Sequence, residues 1–222
     1  MPIIPKNGVL DLPLHDGATY QTLVGDEEGS TPLRLGLQTS PPGFSSGLHW
    51  HPYMEIVIVI EGEGEAWIDE YRYDVMPNTV VYTPMGSVHR FQMFTDFDNA
   101  SVVTKLERQH REGHLYIEND GPPESTVAGM VLNGVENIGP IVNRGKRCPF
   151  KEMRTIEFEA GDQVEITKLS TNEHWLVEVG FACLEVEGFT AEIWSGDVAM
   201  LKAGAVRHLY FPNGARVALV RE

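Results

Sequence analysis

The sequence predicts an all-β protein built from two β domains joined by a connector. Three observations carry that expectation: short runs rich in Val, Ile, Tyr and Trp, turn signals recurring between them, and a second half that repeats the layout of the first. In chain order, PPGF at 41–44 turns the chain ahead of the apolar run MEIVIVI at 54–60, and EGEG at 61–64 reads as a hairpin into EAWIDEYRY at 65–73. MPN at 76–78 leads into NTVVYTP, and TPMG at 83–86 opens SVHRFQMF at 87–94. TKLERQHREGH at 104–114, charged and short, is the best helical candidate. Residues 116–149, with GPPES, NGVENIGP and NRGKRCP, lack periodicity and read as a connector. Beyond it, EVEGFTAEIW at 185–194 echoes EGEGEAWIDE at 61–70, and SGDVAMLKAGAVRH at 195–208 echoes MPNTVVYTPMGSVH at 76–89. The expected domains are therefore 1–115, with an N-terminal arm, and 150–222.

Composition narrows the partners. The chain has 222 residues with 17 Lys and Arg against 32 Asp and Glu, a formal charge of −15 that repels phosphate backbones and anionic lipid headgroups. Nucleic acid and membrane are not expected partners; a small molecule is. The opening MPIIPKNGVLDLP carries no basic segment followed by a long apolar core, and no run reaches the 18 or so apolar residues of a membrane span, so a soluble, cytoplasmic protein is expected. Two cysteines, Cys148 and Cys183, form neither a CxxC motif nor a disulfide framework.

The stretch GLHWHPYMEIVIVIEGEGE raises the chemical question. Alternate residues of a strand share a face, so His49, His51, Tyr53 and Glu55 point one way if the strand is regular through Pro52. Val57 and Val59 continue that face while Ile56, Ile58 and Ile60 fill the other, which predicts a strand covered on both sides. Unpaired polar groups there cost about 1–3 kcal/mol each, and a divalent metal would satisfy two imidazoles and a carboxylate together. A fourth ligand, His89, follows the turn set by Pro84 and Gly86, and Phe91 and Met93 share its face to form an apolar wall. Three imidazoles and one carboxylate suit Fe, Mn, Ni, Co or Zn and leave coordination positions open.

The spacing Gly43, His49, His51, Glu55, Gly62 matches the first motif of the cupin superfamily, G(X)5HXH(X)3,4E(X)6G. The second motif, G(X)5PXG(X)2H(X)3N, is matched at Pro84, Gly86 and His89 and departs at Asn78 and Met93, which stand where it has glycine and asparagine. The chain thus resembles a cupin over residues 43–93. The resemblance implies a jelly-roll β-barrel holding one divalent metal through His49, His51, Glu55 and His89, usually within dimers or higher oligomers. It also implies that the second half is a second cupin barrel, making a bicupin.

That second half lacks the HxH pair. TNEHWLVEVGF offers His174 beside Glu173 and Glu178; Lys202 and Arg207 stand where the proline and histidine of the second motif fall, and His208 is displaced by one residue. A metal-free packing barrel is expected unless His174, Glu178 and His208 converge through a bulge. His110, His114 and His15 read as solvated, and Trp50 and Trp67 as packing residues. Tyr53 is a candidate catalytic group, able to donate a hydrogen bond or proton to a metal-bound substrate, or else a packing residue.

Cupins carry many reactions, so three functions remain open at this point. The pocket wall of Val57, Val59, Phe91 and Met93 and the resemblance to quercetin dioxygenase favour a dioxygenase whose substrate chelates the metal. The spelling HWH before Glu55 also resembles oxalate decarboxylase, which keeps a redox-neutral decarboxylase, isomerase, cyclase or lyase open. The third is a non-catalytic binding protein with a structural metal.

Overall fold

The computed structural model describes residues 3–25, 28–29, 33–104, 115–116, 130–133, 152–166 and 168–222. The helix expected at 104–114, with His110 and His114, most of the connector and Cys148 lie outside the described residues. Among those described, regular structure is strand throughout apart from two short 3-10 turns, Lys6–Gly8 and His15–Gly17. The chain divides into two compact units, Leu10–Val135 and a second made of Met1–Val9 with Glu136–Glu222.

The first strand, β1 (Ile3–Ile4), belongs to the later unit, as described below. The unit of Leu10–Val135 carries β2 (Leu12–Pro13), β3 (Thr19–Val24), β4 (Leu33–Ser40), β5 (His49–Trp50), β6 (Glu55–Glu61) and β7 (Gly64–Ile68). It continues with β8 (Tyr71–Val75), β9 (Thr79–Thr83), β10 (His89–Met93), β11 (Phe97–Thr104), β12 (Leu115–Tyr116) and β13 (Met130–Asn133). These form a five-stranded sheet in the order β12-β5-β10-β7-β8 and a seven-stranded sheet in the order β13-β9-β6-β11-β4-β3-β2. The inner faces meet in one apolar cluster that includes Phe44, Val57, Val59, Val81, Phe91, Met93 and Phe97. The alternation read from MEIVIVI holds in outline: Ile56, Val57, Ile58 and Val59 are all buried, covered from both sides.

The other unit carries β14 (Glu152–Phe158), β15 (Asp162–Ile166), β16 (Glu173–Val186), β17 (Phe189–Trp194), β18 (Val198–Leu201), β19 (Arg207–Phe211) and β20 (Ala215–Arg221), and β1 pairs with β18. The 14-residue β16 runs between β18 and β20 in its first part and between β17 and β19 in its second. Gly180, at φ +87°, marks the change; a Cβ there would lie 2.7 Å from the Gly214 carbonyl oxygen. Gly62 does the same between β6 and β7, at φ +91° with the Asp96 oxygen 2.1 Å from its ideal Cβ.

The two units share one strand plan at a constant offset of 118 residues. Gly43 N–H donates to Met93 O and Gly161 N–H to Phe211 O; Gly86 N–H donates to His51 O and Gly204 N–H to Leu169 O. Asn78 N–H donates to Val59 O and Gly196 N–H to Val177 O, with positive φ at both residues. Asn78, the departure from the second motif, therefore keeps the left-handed turn that motif's glycine provides, a conformation asparagine tolerates. The offset also revises the echo expected from sequence. Glu61–Gly64 corresponds to Val179–Ala182, six residues before EVEG, because the repeat is carried by turn geometry and strand pairing rather than by matching letters.

Candidate metal centre

His49 lies in β5, Glu55 opens β6 and His89 opens β10, with His89 directly across from His49. The strand expected to run from His49 through Glu55 is interrupted at residues 51–54, around Pro52, yet the side chains still converge. The three imidazoles are buried, with ring centroids 4.2 Å apart for His49 and His89, 4.7 Å for His51 and His89, and 6.0 Å for His49 and His51. Their candidate ligand atoms all lie within 4.8 Å of one another.

Each imidazole is oriented the same way. Nδ1 of His49 faces Gly47 O at 2.9 Å, Nδ1 of His51 faces Tyr53 O at 2.7 Å, and Nδ1 of His89 faces Ser87 O at 2.9 Å. A carbonyl only accepts, so Nδ1–H donates in every case, which makes Nε2 of each ring the candidate ligand atom. Glu55 Oε2 stands 3.4 Å from His51 Nε2 and 3.8 Å from His89 Nε2. Burial pushes the Glu55 carboxyl up, but the His51 hydrogen bond and the surrounding imidazoles outweigh it and hold the group at about 2. Burial, reinforced by His49 and His51, holds His89 down to about 3. A carboxylate anion beside three imidazoles is a donor set able to coordinate a cation. His89 Nε2 is buried without a hydrogen-bond partner, as is Thr83 Oγ1 across from Glu55 on β9. Orphaned buried polar atoms of this kind are what a metal ion and its bound oxygen would satisfy, so the donor set fits a divalent metal.

A loop contact missed by the motif reading supports His89. Asp69 accepts from Ser87 Oγ at 2.9 Å and from Val88 N–H at 3.3 Å, fixing the segment whose carbonyl receives the His89 proton. Asp69 adopts a positive φ of 55° to do so.

A cavity of about 420 Å³, its open mouth included, adjoins His49 and Glu55. Three of the expected wall residues, Val57, Phe91 and Met93, line it; Val59, in the same core cluster, does not. Tyr53 is not on that wall. Its ring stacks on His51, with centroids 4.0 Å apart and planes 3° apart, and burial, then the Glu55 charge, pushes its hydroxyl above the ordinary phenol range. The polar wall residues Gln38 and Asn99, on β4 and β11, and Ser46, in the segment before β5, escaped the sequence reading because they lie outside the motif's ligand positions.

The candidates of the later unit do not converge. His174 Nε2 lies 2.7 Å from Glu222, Glu178 pairs with Arg216 at 2.6 Å, and His208 faces Gln163 at 3.2 Å. A bulge does occur between Val177 and Val179, but it delivers Glu178 to Arg216. By the 118-residue offset, Glu173 takes the place of Glu55, Leu169 that of His51 and Arg207 that of His89. Arg207 is fully buried and bonds Glu173 directly, while its guanidinium lies 4.5 Å from the Trp175 ring centre. Among the described residues, the His49, His51 and His89 group is the cluster of metal-ligating side chains.

Residues 36–103 match the family model described as Cupin domain. Auxin-binding protein T92 of Nicotiana tabacum is 24% identical over 111 residues, covering 45% of this chain and 59% of the relative. Auxin-binding protein T85 of the same plant is 22% identical with the same coverage. The chain thus spans 59% of the length of these curated relatives. Among solved structures, oxalate decarboxylase from Bacillus subtilis at pH 4.6 superposes with a TM-score of 0.69 at 14% identity, over 99% of this chain and 75% of that one. The oxalate decarboxylase formate complex of Lactobacillus farciminis gives 0.75 at 13% identity, over 99% and 85%. The fold is that of the cupins, and the matched segment contains the whole candidate centre. No helix among the described residues is long and apolar enough to cross a membrane.

Proposed function

We propose that this protein is a metal-dependent enzyme acting on a small organic substrate, built as a bicupin of two jelly-roll barrels with chemistry in the first alone. Its reaction is a dioxygenation in which substrate chelates the metal. The observation that carries the reading is the three-histidine and Glu55 cluster opening onto a small cavity with an apolar side of Val57, Phe91 and Met93. A divalent ion held there would supply a Lewis-acidic centre with positions free for an oxygen-donor substrate. Val57, Phe91 and Met93 keep water from the substrate body, and Glu55 stays ionised against the imidazoles. Among the described residues, the titratable groups on the cavity wall are His49 and Glu55, both ligands. This supports a reaction that needs no separate acid or base over one that moves a proton through Tyr53.

Decarboxylation of a small acid is the second reading, favoured by the likeness to oxalate decarboxylases, one of them described for its Mn(II) centers. The similarity to auxin-binding proteins supports the third, a binding protein without turnover. A homodimer is also proposed: β2 ends its sheet, and Leu10, Leu12 and Leu14 at this edge are exposed. Metal analysis of natively purified protein and turnover of small enols, catechols and flavonoids, with and without dioxygen, test the proposal. Product that stops without dioxygen is expected. Undiminished anaerobic turnover would move the assignment to the redox-neutral class.

A further inference from the structure

The cavity wall contains a polar group that the fold does not use. Asn99, on β11, is 4% exposed and lines the cavity, and among the described residues nothing hydrogen-bonds its carboxamide. Its cross-strand neighbours are Gln38 on β4 and Val59 on β6. Gln38 makes its side-chain hydrogen bond elsewhere, its Nε2 donating to Ser40 Oγ at 2.9 Å. A carboxamide on a cavity wall that the fold's own hydrogen bonds do not use is available to a ligand in that cavity.

The later unit is an internal control. The residues 118 positions on, Val217 and Ile156, pair across β20 and β14 as Asn99 and Gln38 pair across β11 and β4. There both are apolar, with Val217 in the core cluster and Ile156 packed against it. The same strand plan and register therefore tolerate valine at this position. The carboxamide is present in the unit that has the imidazole cluster and the cavity, and absent from the unit in which Arg207 fills the equivalent place.

We propose that Asn99 is a specificity-determining residue of this cavity, its carboxamide hydrogen-bonding a second oxygen function of a substrate whose first oxygen lies at the histidine and Glu55 centre. The inference rests on the metal-centred reading above. The ligand class follows from the wall: a compact molecule with an ionisable oxygen at one end, a short apolar segment against Val57, Phe91 and Met93, and a carbonyl accepting from Asn99 Nδ2. A site built to hydrogen-bond such a group rejects the analogue lacking it, because the amide is then left unpaired.

Matched acids test this on the full chain loaded with Co(II), whose visible spectrum reports its coordination. The probes are 2-oxobutanoate, 3-oxobutanoate and 4-oxopentanoate, each against the acid with methylene in place of the keto carbon. At least one keto acid is expected to bind about tenfold tighter than its partner. Asn99→Val, which copies Val217, and Asn99→Leu, closer in volume, should abolish that preference while keeping Co(II) content and the affinity for the plain acids. The ligand-free variants should be at least as stable as the parent. A keto preference that survives in both variants, or one absent from the parent in all three pairs, overturns the role of Asn99. Failure of every acid to perturb the Co(II) spectrum overturns the metal-centred reading, and this inference with it.

Discussion

Replacing Arg207 with Met would remove the cation that sits in the later unit where His89 sits in the first. Glu173 is held by three donors: Arg207 Nη2, Arg221 Nε at 2.7 Å and Trp175 Nε1 at 2.8 Å. Breaking a fully buried ion pair from one side costs about 3–5 kcal/mol because it strands the other charge. Two donors survive here, so the lower end applies, about 3 kcal/mol. Arg207 Nε and Nη1 have no hydrogen-bond partner, which leaves the Trp175 face as their compensation. The pair is thus imperfect, and the double change Arg207→Met with Glu173→Leu should recover most of the loss. Peptide-resolved hydrogen exchange isolates this unit: 3 kcal/mol corresponds to about a hundredfold faster exchange of the slowest amides in β16 and β20. An effect below about 1 kcal/mol in the single variant, or a double variant as unstable as the single, would refute the claim that a guanidinium replaces an ion as the counter-charge of this carboxylate.

Three further outcomes are expected. His51→Ala should lose most of its metal, measured by elemental analysis, while circular dichroism still reports a β fold; full occupancy would remove His51 from the ligand set. Asp69→Ala should weaken metal affinity about tenfold by loosening the Ser87 segment behind His89, with chelator competition as the readout, and unchanged affinity would make that contact irrelevant to the centre. The Glu173 carboxyl is held below its ordinary value of 4.5: burial raises it, and Arg207, Trp175 and Arg221 lower it further. The unfolded chain therefore takes this proton first as pH falls, so the stabilisation is full above about 4.5 and is lost as pH falls through the folded value. Urea midpoints between pH 7 and 3 should fall less steeply in Glu173→Gln than in the parent, and parallel curves would count against it.

What the sequence showed depended on whether the information was local. The clustering of His49, His51, Glu55 and His89 was legible because HxH, Glu55 and the turn before His89 are short-range features, and the turn holds even with Asn78 in place of glycine. Val57, Phe91 and Met93 followed from strand parity, but Val59 and Tyr53 did not. Parity says which way a side chain points and not how deep along the strand the cavity reaches, and the interruption at 51–54 turned Tyr53 onto His51. Gln38 and Asn99 were invisible because they become a pair only through the register of β4 on β11, 61 residues apart in the chain. The pairing of Ile3–Ile4 with Val198–Ala199 has the same character, since nothing near residue 3 names its partner.

One strand plan thus meets the same electrostatic problem in two ways. A carboxylate stands seven residues before the pivot glycine in both units, Glu55 before Gly62 beside His51 and His89, and Glu173 before Gly180 beside Arg207. In the first unit its neighbours are three imidazoles, His89 among them with a buried Nε2 that has no hydrogen-bond partner, and the group lies beside a cavity. In the later unit Arg207 carries the charge covalently with its guanidinium over the Trp175 ring, and the positions equivalent to Gln38 and Asn99 turn apolar. A guanidinium has no coordination position to offer a substrate. On the metal-dependent reading proposed above, the arginine at this one position supplies a fixed counter-charge where the first unit would hold an ion.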